Sequence, residues 1–376
     1  MATNQLASNG VGVSQKSADR ERARELVLQW GWNATCYQIL NPGFRLWFAP
    51  EGDAVVGYVE CNRTRLVGGA PVCAKDRLRD VAQAFEFDAR RNGHATCYFA
   101  AEARLEALYR NSPTHSMITL GSQPTLEPSG WAWRIQKHAS LRAQLHRARN
   151  KGVVVEEWPP EVARQHPELR RCLSEWLEGR GLPPLHFLIE TDTLSSTKDR
   201  TILVATQKEK VIGFLVASPV PQRQGWLIEQ IVRGQDAVNG TSELLVDEAI
   251  RRAAAVGSEY VSFGLAPLSA NTERSNHENP VWLRLLLTWI RAHGRRFYNF
   301  RGLESYKAKF EPDVWDPVYA IVNARHFGPS TLYAVASAFA QGSPIVMIAG
   351  TILHGVRQEL HDFGRTSSGG DTVGRH

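Results

Sequence analysis

Two short apolar runs, each centred on a glycine, recur about 160 residues apart and constrain the fold more than any other feature. The runs are VVGYV at 55–59 and VIGFL at 211–215. Each is followed by a helix-like segment ending at a glycine, Gly93 or Gly257, and then by a strand-like run, ATCYFA or YVSFGLA. A hairpin, a helix and a further strand, present twice, predict two copies of one α/β unit, each a mixed twisted sheet flanked by helices.

Length and composition allow two such units. With 376 residues, of which 43% are apolar and 22% charged, the chain is too apolar to be disordered and long enough for two cores. The polar N-terminus has no apolar run typical of a secretory signal. We predict a disordered N-terminus at 1–20, a first unit at 21–157, a helical connector at 158–180, a second and catalytic unit at 181–326, an apolar helical segment at 327–363 and a disordered tail at 364–376.

The five cysteines argue against a disulfide framework and against a zinc site. Their number is odd, they show no C-x-x-C spacing, and most of them lie in apolar runs: Cys36, Cys61, Cys73, Cys97 and Cys172. Reduced, buried thiols in the cytosol are the simpler interpretation. We predict no metal and no cofactor. The net charge of +6 permits a polyanionic partner without requiring one.

The segment from His326 to Val356 contains no Asp, Glu, Lys or Arg. A membrane-spanning helix needs about 20 continuous apolar residues, and Gly342, Ser343 and Pro344 divide this run into two shorter helices. The pair can pack against the protein's own core. Docking into one leaflet of a membrane, or dimerisation, is the alternative.

A basic stretch without any carboxylate runs from Pro128 to Val155 and contains six Lys or Arg residues. Within it, SLRAQLHRARNKG predicts a helix that carries Arg142, His146 and Arg149 on one face. A solvated face is one explanation. The lack of a balancing acid equally favours a phosphate-rich partner.

A strand, a polar loop and a helix follow one another in LIEQIVRGQDAVNGTSELLVDEAI. In the acetyltransferase-type fold, backbone N–H groups and the helix dipole at such a turn hold a pyrophosphate. That turn needs closely spaced glycines after a basic residue, and only Gly240 is suitably placed after Arg233. Because Asp236 also adds negative charge to the loop, we predict this architecture with a donor other than coenzyme A.

Four motifs resemble the catalytic domain of bacterial phosphatidylglycerol lysyltransferases, within the aminoacyl-tRNA-dependent lipid aminoacyltransferases. They are GWNATCYQIL, VGGAPVC, FGLAPLS and NFRGLESYKAKFEPDVWDPVY, in the same order across residues 25 to 325. The resemblance implies tandem acetyltransferase-like (GNAT) units that transfer an amino acid from charged tRNA to a lipid hydroxyl. It also implies a free-standing member without the flippase domain, associated peripherally with the inner face of the cytoplasmic membrane. The acceptor could be phosphatidylglycerol, diacylglycerol or a sterol.

The resemblance also assigns roles around the strand that ends at Arg233. The family carries an acidic residue three positions before this arginine, where this chain has Gln230. The neighbouring Glu229 shares a face with Arg233 if the strand alternates regularly, so we predict that the two pair in the cleft as catalytic residues. An ordinary ion pair at a strand end is the alternative. Glu243 is a further catalytic candidate, and it could equally complement the helix dipole.

Donor binding is predicted for residues around this loop, on the basic helix and near the C-terminus. Near the C-terminus, Tyr298–Phe300 should close a strand, Gly302 should turn the chain, and LESYKAKF should form about two helical turns. The lysines of that helix are two residues apart and point about 200° away from each other, so they cannot both serve one small site. Lys307 and Arg301 are predicted to be catalytic, although Glu304 could hold Lys307 in a plain surface pair. The residues predicted to bind substrate or tRNA are Asn239, Gly240, Thr241, Tyr306, Lys309, Arg142, Arg149 and Lys151.

The helix in NPVWLRLLLTWIRAHG carries a wide apolar stripe after its predicted cap, Asn279. Core packing explains the stripe. Alternatively Trp282, Leu286 and Trp289 could bind the lipid acceptor together with the apolar C-terminal pair. Two other functions stay open: transfer to a peptide or a small-molecule amine, and a silent relative that binds RNA or membranes.

Overall fold

The structure, a computed structural model, describes residues 3–179, 187–188, 190–269, 279, 284 and 300–340. Strands of these residues form one mixed twelve-stranded sheet with helices on both faces. The strands are β1 (Arg45–Phe48), β2 (Val55–Cys61), β3 (Thr64–Gly68), β4 (Ala95–Ala101), β5 (Ser116–Leu126), β6 (Val153–Glu157), β7 (Thr201–Gln207), β8 (Lys210–Val220), β9 (Gly225–Arg233), β10 (Tyr260–Ser262), β11 (Ala266–Pro267) and β12 (Val314–Val322). The helices are α1 (Thr3–Trp30), α2 (Leu78–Arg91), α3 (Ala103–Tyr109), α4 (Trp131–Lys137), α5 (Ala139–Asn150), α6 (Pro160–Gln165), α7 (Pro167–Glu178), α8 (Thr241–Ala255), α9 (Phe300–Ala308) and α10 (Pro329–Ala340).

The predicted duplication is confirmed by the topology. In the first half β2 pairs antiparallel with β3, α2 follows, and β4 returns parallel to β3. In the second half β8 pairs antiparallel with β9, α8 follows, and β10 returns parallel to β9. Both helices end at glycines with positive φ, +76° at Gly93 and +70° at Gly257, as their C-cap positions require. The chain therefore contains two acetyltransferase-like units.

The two halves are interleaved, which the predicted domain boundaries did not anticipate. The order β1-β2-β3-β4-β12-β5-β10-β9-β8-β7-β6 places β12, assigned to the second unit, between β4 and β5 of the first. In turn β5, from the first unit, pairs with β10 of the second. Each half thus completes its sheet with a strand from the other, and the central β5–β12 pair belongs to both.

The N-terminus differs from the prediction of disorder, because residues 3–20 form the first part of α1. The C-terminal end of this helix packs on the core through Ala23, Leu26 and Val27. A helix fixed at one end can extend by adding one hydrogen bond per residue, even where its sequence is polar. The predicted connector is also helical, but it is divided into α6 and α7 at His166, which precedes Pro167.

The first helix of the apolar C-terminal segment, α10, packs on the protein's own core. Ala334, Val335 and Ala338 are buried in it, and Phe339 packs edge-on against Phe99 of β4 at 5.2 Å between ring centroids. This packing supports the core interpretation over membrane docking for α10. The rest of the segment, 341–363, and the tail lie outside the described residues. Within the described part of the chain, no helix is long and apolar enough to cross a membrane.

Candidate active site

In the second half β9 and β10 pair over three residues and then diverge, and we call the region beyond this divergence the wedge. The two strands pair only between Gly225–Leu227 and Tyr260–Ser262. Beyond this point β9 continues to Arg233, whereas the chain after β10 turns at Gly264, whose φ is +70°. The divergence leaves the carbonyl groups after β10 without a strand partner on that side, so side chains must fill the wedge.

Lys307 of α9 lies against the chain that leaves β10 at this divergence. Its residue is only 7% exposed, and its Nζ donates hydrogen bonds to the carbonyl oxygens of Gly264 at 2.9 Å and Leu265 at 2.8 Å. Burial lowers the pKa of Lys307 from its usual 10.5 to about 7. Two carbonyls hold two of its hydrogens, so the remaining position on Nζ carries a lone pair in the neutral amine and a third N–H in the ammonium. Such a group can accept or donate a proton near neutral pH.

Aromatic rings hold α9 in place behind this lysine. Phe310 is fully buried and stacks on Phe263 at 5.2 Å, while Tyr306 meets Phe310 edge-on at 5.3 Å. Burial raises the pKa of Tyr306 well above its usual range, so its hydroxyl stays protonated at neutral pH. Phe300 and Gly302 both lie within α9, so the predicted strand end at Phe300 and the predicted turn at Gly302 are wrong.

Lys307 and Lys309 serve different places, as their spacing predicts. Lys309 Nζ lies 3.2 Å from Glu243 Oε1 on the first turn of α8, so these two predicted residues come together where α9 meets α8. The surface pair between Lys307 and Glu304 is wrong, because Glu304 instead accepts a hydrogen bond from the hydroxyl of Ser269 at 2.7 Å. Arg301 is exposed near the start of α9.

The pairing predicted between Glu229 and Arg233 is wrong, and a β-bulge is the reason. The register between β8 and β9 shifts at Glu229, so Ile228 and Ile231 face α8 while Glu229 lies on the opposite face. There Glu229 pairs with Arg200 at 2.9 Å, with 2% of its side chain exposed and none of the arginine's. Gln230, next to it, accepts a hydrogen bond from the hydroxyl of Thr193 and donates one to a backbone carbonyl.

Arg233 and the loop after it form a closed turn at the start of α8. The guanidinium donates to the carbonyl of Ala237 and to Asn239 Oδ1. Gly240 has φ +96°, and a Cβ there would lie 2.3 Å from the carbonyl oxygen of Gln144 in α5. Thr241 is 1% exposed. Within the turn predicted to hold phosphate, Gly240 is therefore packed against α5, whereas Arg233 and Asn239 are exposed. Asp236, expected to repel a phosphate there, pairs outward with Lys210.

Gly240→Ala is expected to lower the free energy of unfolding by about 2–4 kcal/mol, because it adds a clash with α5 to a strained positive φ. Urea denaturation measures the change. Gly257→Ala is the matched control, since it has φ +70° at the other end of α8 but nothing within 4 Å of the added carbon. It should lose only about 1 kcal/mol. Equal losses in the two variants would show that the contact with α5 contributes nothing.

The basic helix α5 is confirmed, with Leu141, Leu145 and Ala148 buried. Two of its residues that were predicted to bind tRNA, Arg142 and Arg149, instead contact other parts of the protein. Arg142 donates to backbone carbonyls at the end of α4, and Arg149 pairs at 2.7 Å with Asp247 of α8, whose side chain is fully buried. Lys151 stays exposed.

The predicted lipid-binding residues Trp282, Leu286 and Trp289 lie outside the described residues. Asn279, predicted as the cap of their helix, is described and exchanges two hydrogen bonds with the backbone of Thr119 in β5, at 2.7 and 2.9 Å.

The sequence did not indicate Arg200 or the two carbonyls that hold Lys307. Arg200 does not lie in a recognisable sequence motif. Its role as a buried cation depends on Glu229 and Asn41, which are distant in the sequence. The carbonyls of Gly264 and Leu265 do lie within FGLAPLS, one of the four motifs quoted above. Every residue has a backbone carbonyl, so residue identity cannot show which carbonyls bind Lys307. The motif FGLAPLS was therefore the one sequence feature that pointed to this segment.

A family profile described as phosphatidylglycerol lysyltransferase, C-terminal, matches residues 24–322. The chain belongs to this family. A phosphatidylglycerol lysyltransferase of Bacillus subtilis is 23% identical over 302 residues, which cover 79% of this chain and 34% of that protein. The chain thus spans about a third of the length of that relative.

Two solved structures share the fold. A C-terminal domain from Agrobacterium fabrum superposes with a TM-score of 0.70 and 23% identity, over 86% of this chain and 96% of that one. L-PGS from Bacillus licheniformis superposes with a TM-score of 0.69 and 22% identity, over 89% and 96%. These likenesses agree with the tandem acetyltransferase-like architecture derived from the strand order.

Proposed function

We propose that this protein transfers an amino acid from an aminoacyl-tRNA to a hydroxyl group of a membrane lipid. Membership in the family supports the reaction class, and the names of relatives such as the Bacillus subtilis enzyme point to phosphatidylglycerol as acceptor. The observation that carries the proposal is Lys307, an amine with a pKa of about 7 held by two carbonyls in the wedge between β9 and β10.

Lys307 acts as the base and then as the acid of an ester exchange. Its neutral amine takes the proton from the lipid hydroxyl, and the lipid oxygen attacks the carbonyl carbon of the aminoacyl ester. The tetrahedral intermediate collapses by breaking the bond to the ribose oxygen, which receives the proton from Lys307. The amine returns to its neutral form, so the step balances without any other reactant.

The donor enters from the side of α8 and α9. Lys309 of α9 pairs with Glu243 of α8, its ammonium lies 5.5 Å from the centroid of the Tyr306 ring, and Arg301 is exposed on the same helix. An exposed cation and an aromatic ring suit the phosphates and the base at a single-stranded RNA end. The close packing of Gly240 against α5, together with a loop that lacks the closely spaced glycines of a pyrophosphate cradle, argues against coenzyme A as the donor.

The test is a cell-free assay with charged tRNA and lipid vesicles, followed by lipid extraction and mass spectrometry. We expect an aminoacylated lipid whose formation stops after treatment with ribonuclease. A product formed on a soluble peptide or amine, with no modified lipid, would favour the alternative acceptor class. Turnover that requires acetyl-coenzyme A and survives ribonuclease would overturn the proposal.

A further inference from the structure

The outward surface of α4 and α5 combines an exposed indole with cations. Trp133 is 62% exposed although Trp131, two residues earlier, is fully buried. The ammonium of Lys137, one turn further along α4, lies 3.7 Å from the centroid of the Trp133 ring. The ring is thus presented to solvent with a cation on one face.

The cations of this surface separate into two groups. Acids from neighbouring elements pair with two of the six Lys and Arg side chains: Asp313 with Arg134 and Asp247 with Arg149. Among the described residues, no carboxylate pairs with the remaining four, which are Lys137, Arg142, Arg147 and Lys151. In the described ranges, the outer faces of α4 and α5 therefore carry four cations without an acidic partner, and one of them, Lys137, lies against the exposed indole.

The helices α4 and α5 both pack against α8, so their outer faces lie on the side away from α8. Ile135 of α4 and Leu145 of α5 are buried in the cluster formed with α8. Residues on the opposite faces of the two helices, Trp133 and Arg147, consequently point away from α8. An indole at the level of lipid headgroups, with lysines and arginines beside it, is the composition of surfaces that lie on an anionic membrane.

We propose that the outer face of α4 and α5, through Trp133, Lys137, Arg147 and Lys151, docks the protein onto anionic lipid membranes. This inference rests on the proposed function, because an enzyme that modifies a membrane lipid must reach its acceptor at the membrane surface. It moves the contact away from the apolar C-terminal segment, whose helix α10 is used in the core. An RNA partner is less well matched, since Lys137 already covers one face of the ring on which a base would stack.

The experiment measures binding of the full chain to vesicles by co-sedimentation. The probes are vesicles of phosphatidylcholine mixed with phosphatidylglycerol and vesicles of phosphatidylcholine alone. We expect binding to the anionic vesicles that weakens as salt is raised. Arg147→Glu, which removes one cation and adds an acid, should weaken it by tenfold or more, at about fivefold per charge. Trp133→Ala should weaken it on the order of tenfold.

Matched controls come from another exposed surface. Phe87 of α2 is 59% exposed with Arg91 near its ring at 5.8 Å, so Phe87→Ala removes a comparable aromatic side chain. Lys75→Glu makes the same kind of charge change at an exposed position. Neither should alter vesicle binding. Unchanged binding in Trp133→Ala and Arg147→Glu, or equal losses in the controls, would overturn the proposal.

Two further measurements separate this inference from the proposed function and from RNA binding. Transfer to a short-chain acceptor soluble in water should persist in Trp133→Ala, because no membrane is needed there. Failure of transfer to every acceptor would count against the proposed function while leaving vesicle binding readable. The second measurement is retention of tRNA on filters by Trp133→Ala and Arg147→Glu. If these variants lose tRNA retention but still bind vesicles, the surface binds RNA and the membrane contact is refuted.

Discussion

Lys307→Met is expected to lower the rate constant of transfer by about 10²–10⁴-fold, the range for losing a positioned acid–base group. Methionine keeps the length of the side chain but cannot exchange a proton. Lys307→Arg should not restore activity, because a guanidinium stays charged in proteins. Single-turnover kinetics with charged tRNA measures the chemical step. Full activity in the methionine variant would remove Lys307 from the mechanism.

The pH profile distinguishes a base from a fixed cation at the same position. Since burial sets the pKa of Lys307 to about 7, a base becomes active as pH rises through that value, and the rate should then level off. A cation that only stabilised the developing oxyanion would lose its charge over the same interval, so the rate would fall. The sign of the change around pH 7 therefore decides the role of this residue.

Burial of Lys307 also makes the stability of the wild-type protein depend on pH. The folded pKa of Lys307 lies below its usual 10.5, so between about pH 7 and 10.5 the unfolded state binds more protons and stability rises with pH. Lys307→Met loses two hydrogen bonds at about 1 kcal/mol each but no longer buries an amine. We expect the variant to be as stable as the wild type at pH 7 and less stable near pH 10, by urea denaturation.

Features that depend on local pattern were predictable from the sequence. The repeated hairpin, helix and strand follow from β-branched runs, turn residues and C-cap glycines. The buried stripe of α5 and the divergent directions of Lys307 and Lys309 follow from 3.6 residues per turn. Such inferences need only neighbours along the chain.

Features that depend on distant parts of the chain were not predictable. The exchange of β5 and β12 joins segments nearly 200 residues apart, and no local signal marks it. The bulge at Glu229 is a shift of one residue that reverses which side chains face α8. The predicted pairing of Glu229 with Arg233 assumed that side chains alternate regularly along β9, and the bulge breaks that alternation.

Removal of one partner from the buried pair of Glu229 and Arg200 should have the largest effect on stability. Arg200 holds both carboxylate oxygens, at 2.9 and 3.1 Å, donates to Asn41 Oδ1 at 2.8 Å and lies over the ring of Tyr37. Glu229→Ala leaves this guanidinium buried without its counter-charge, which typically costs about 3–5 kcal/mol. Calorimetric or urea unfolding of the purified variant measures the loss.

The double variant Glu229→Leu with Arg200→Met separates a structural pair from a catalytic carboxylate. Replacing both charges by apolar side chains removes the penalty of an unpaired ion, so most of the stability lost in either single variant should return. If the pair is structural, transfer at a temperature where the protein is folded should return as well. Recovered stability without transfer would instead mean that one of the two removed charges takes part in the reaction. If the single variant Arg200→Met keeps transfer, that charge is the carboxylate of Glu229, and the bulge on β9 serves to aim this side chain at the substrate, because a bulge re-aims a side chain without moving its strand.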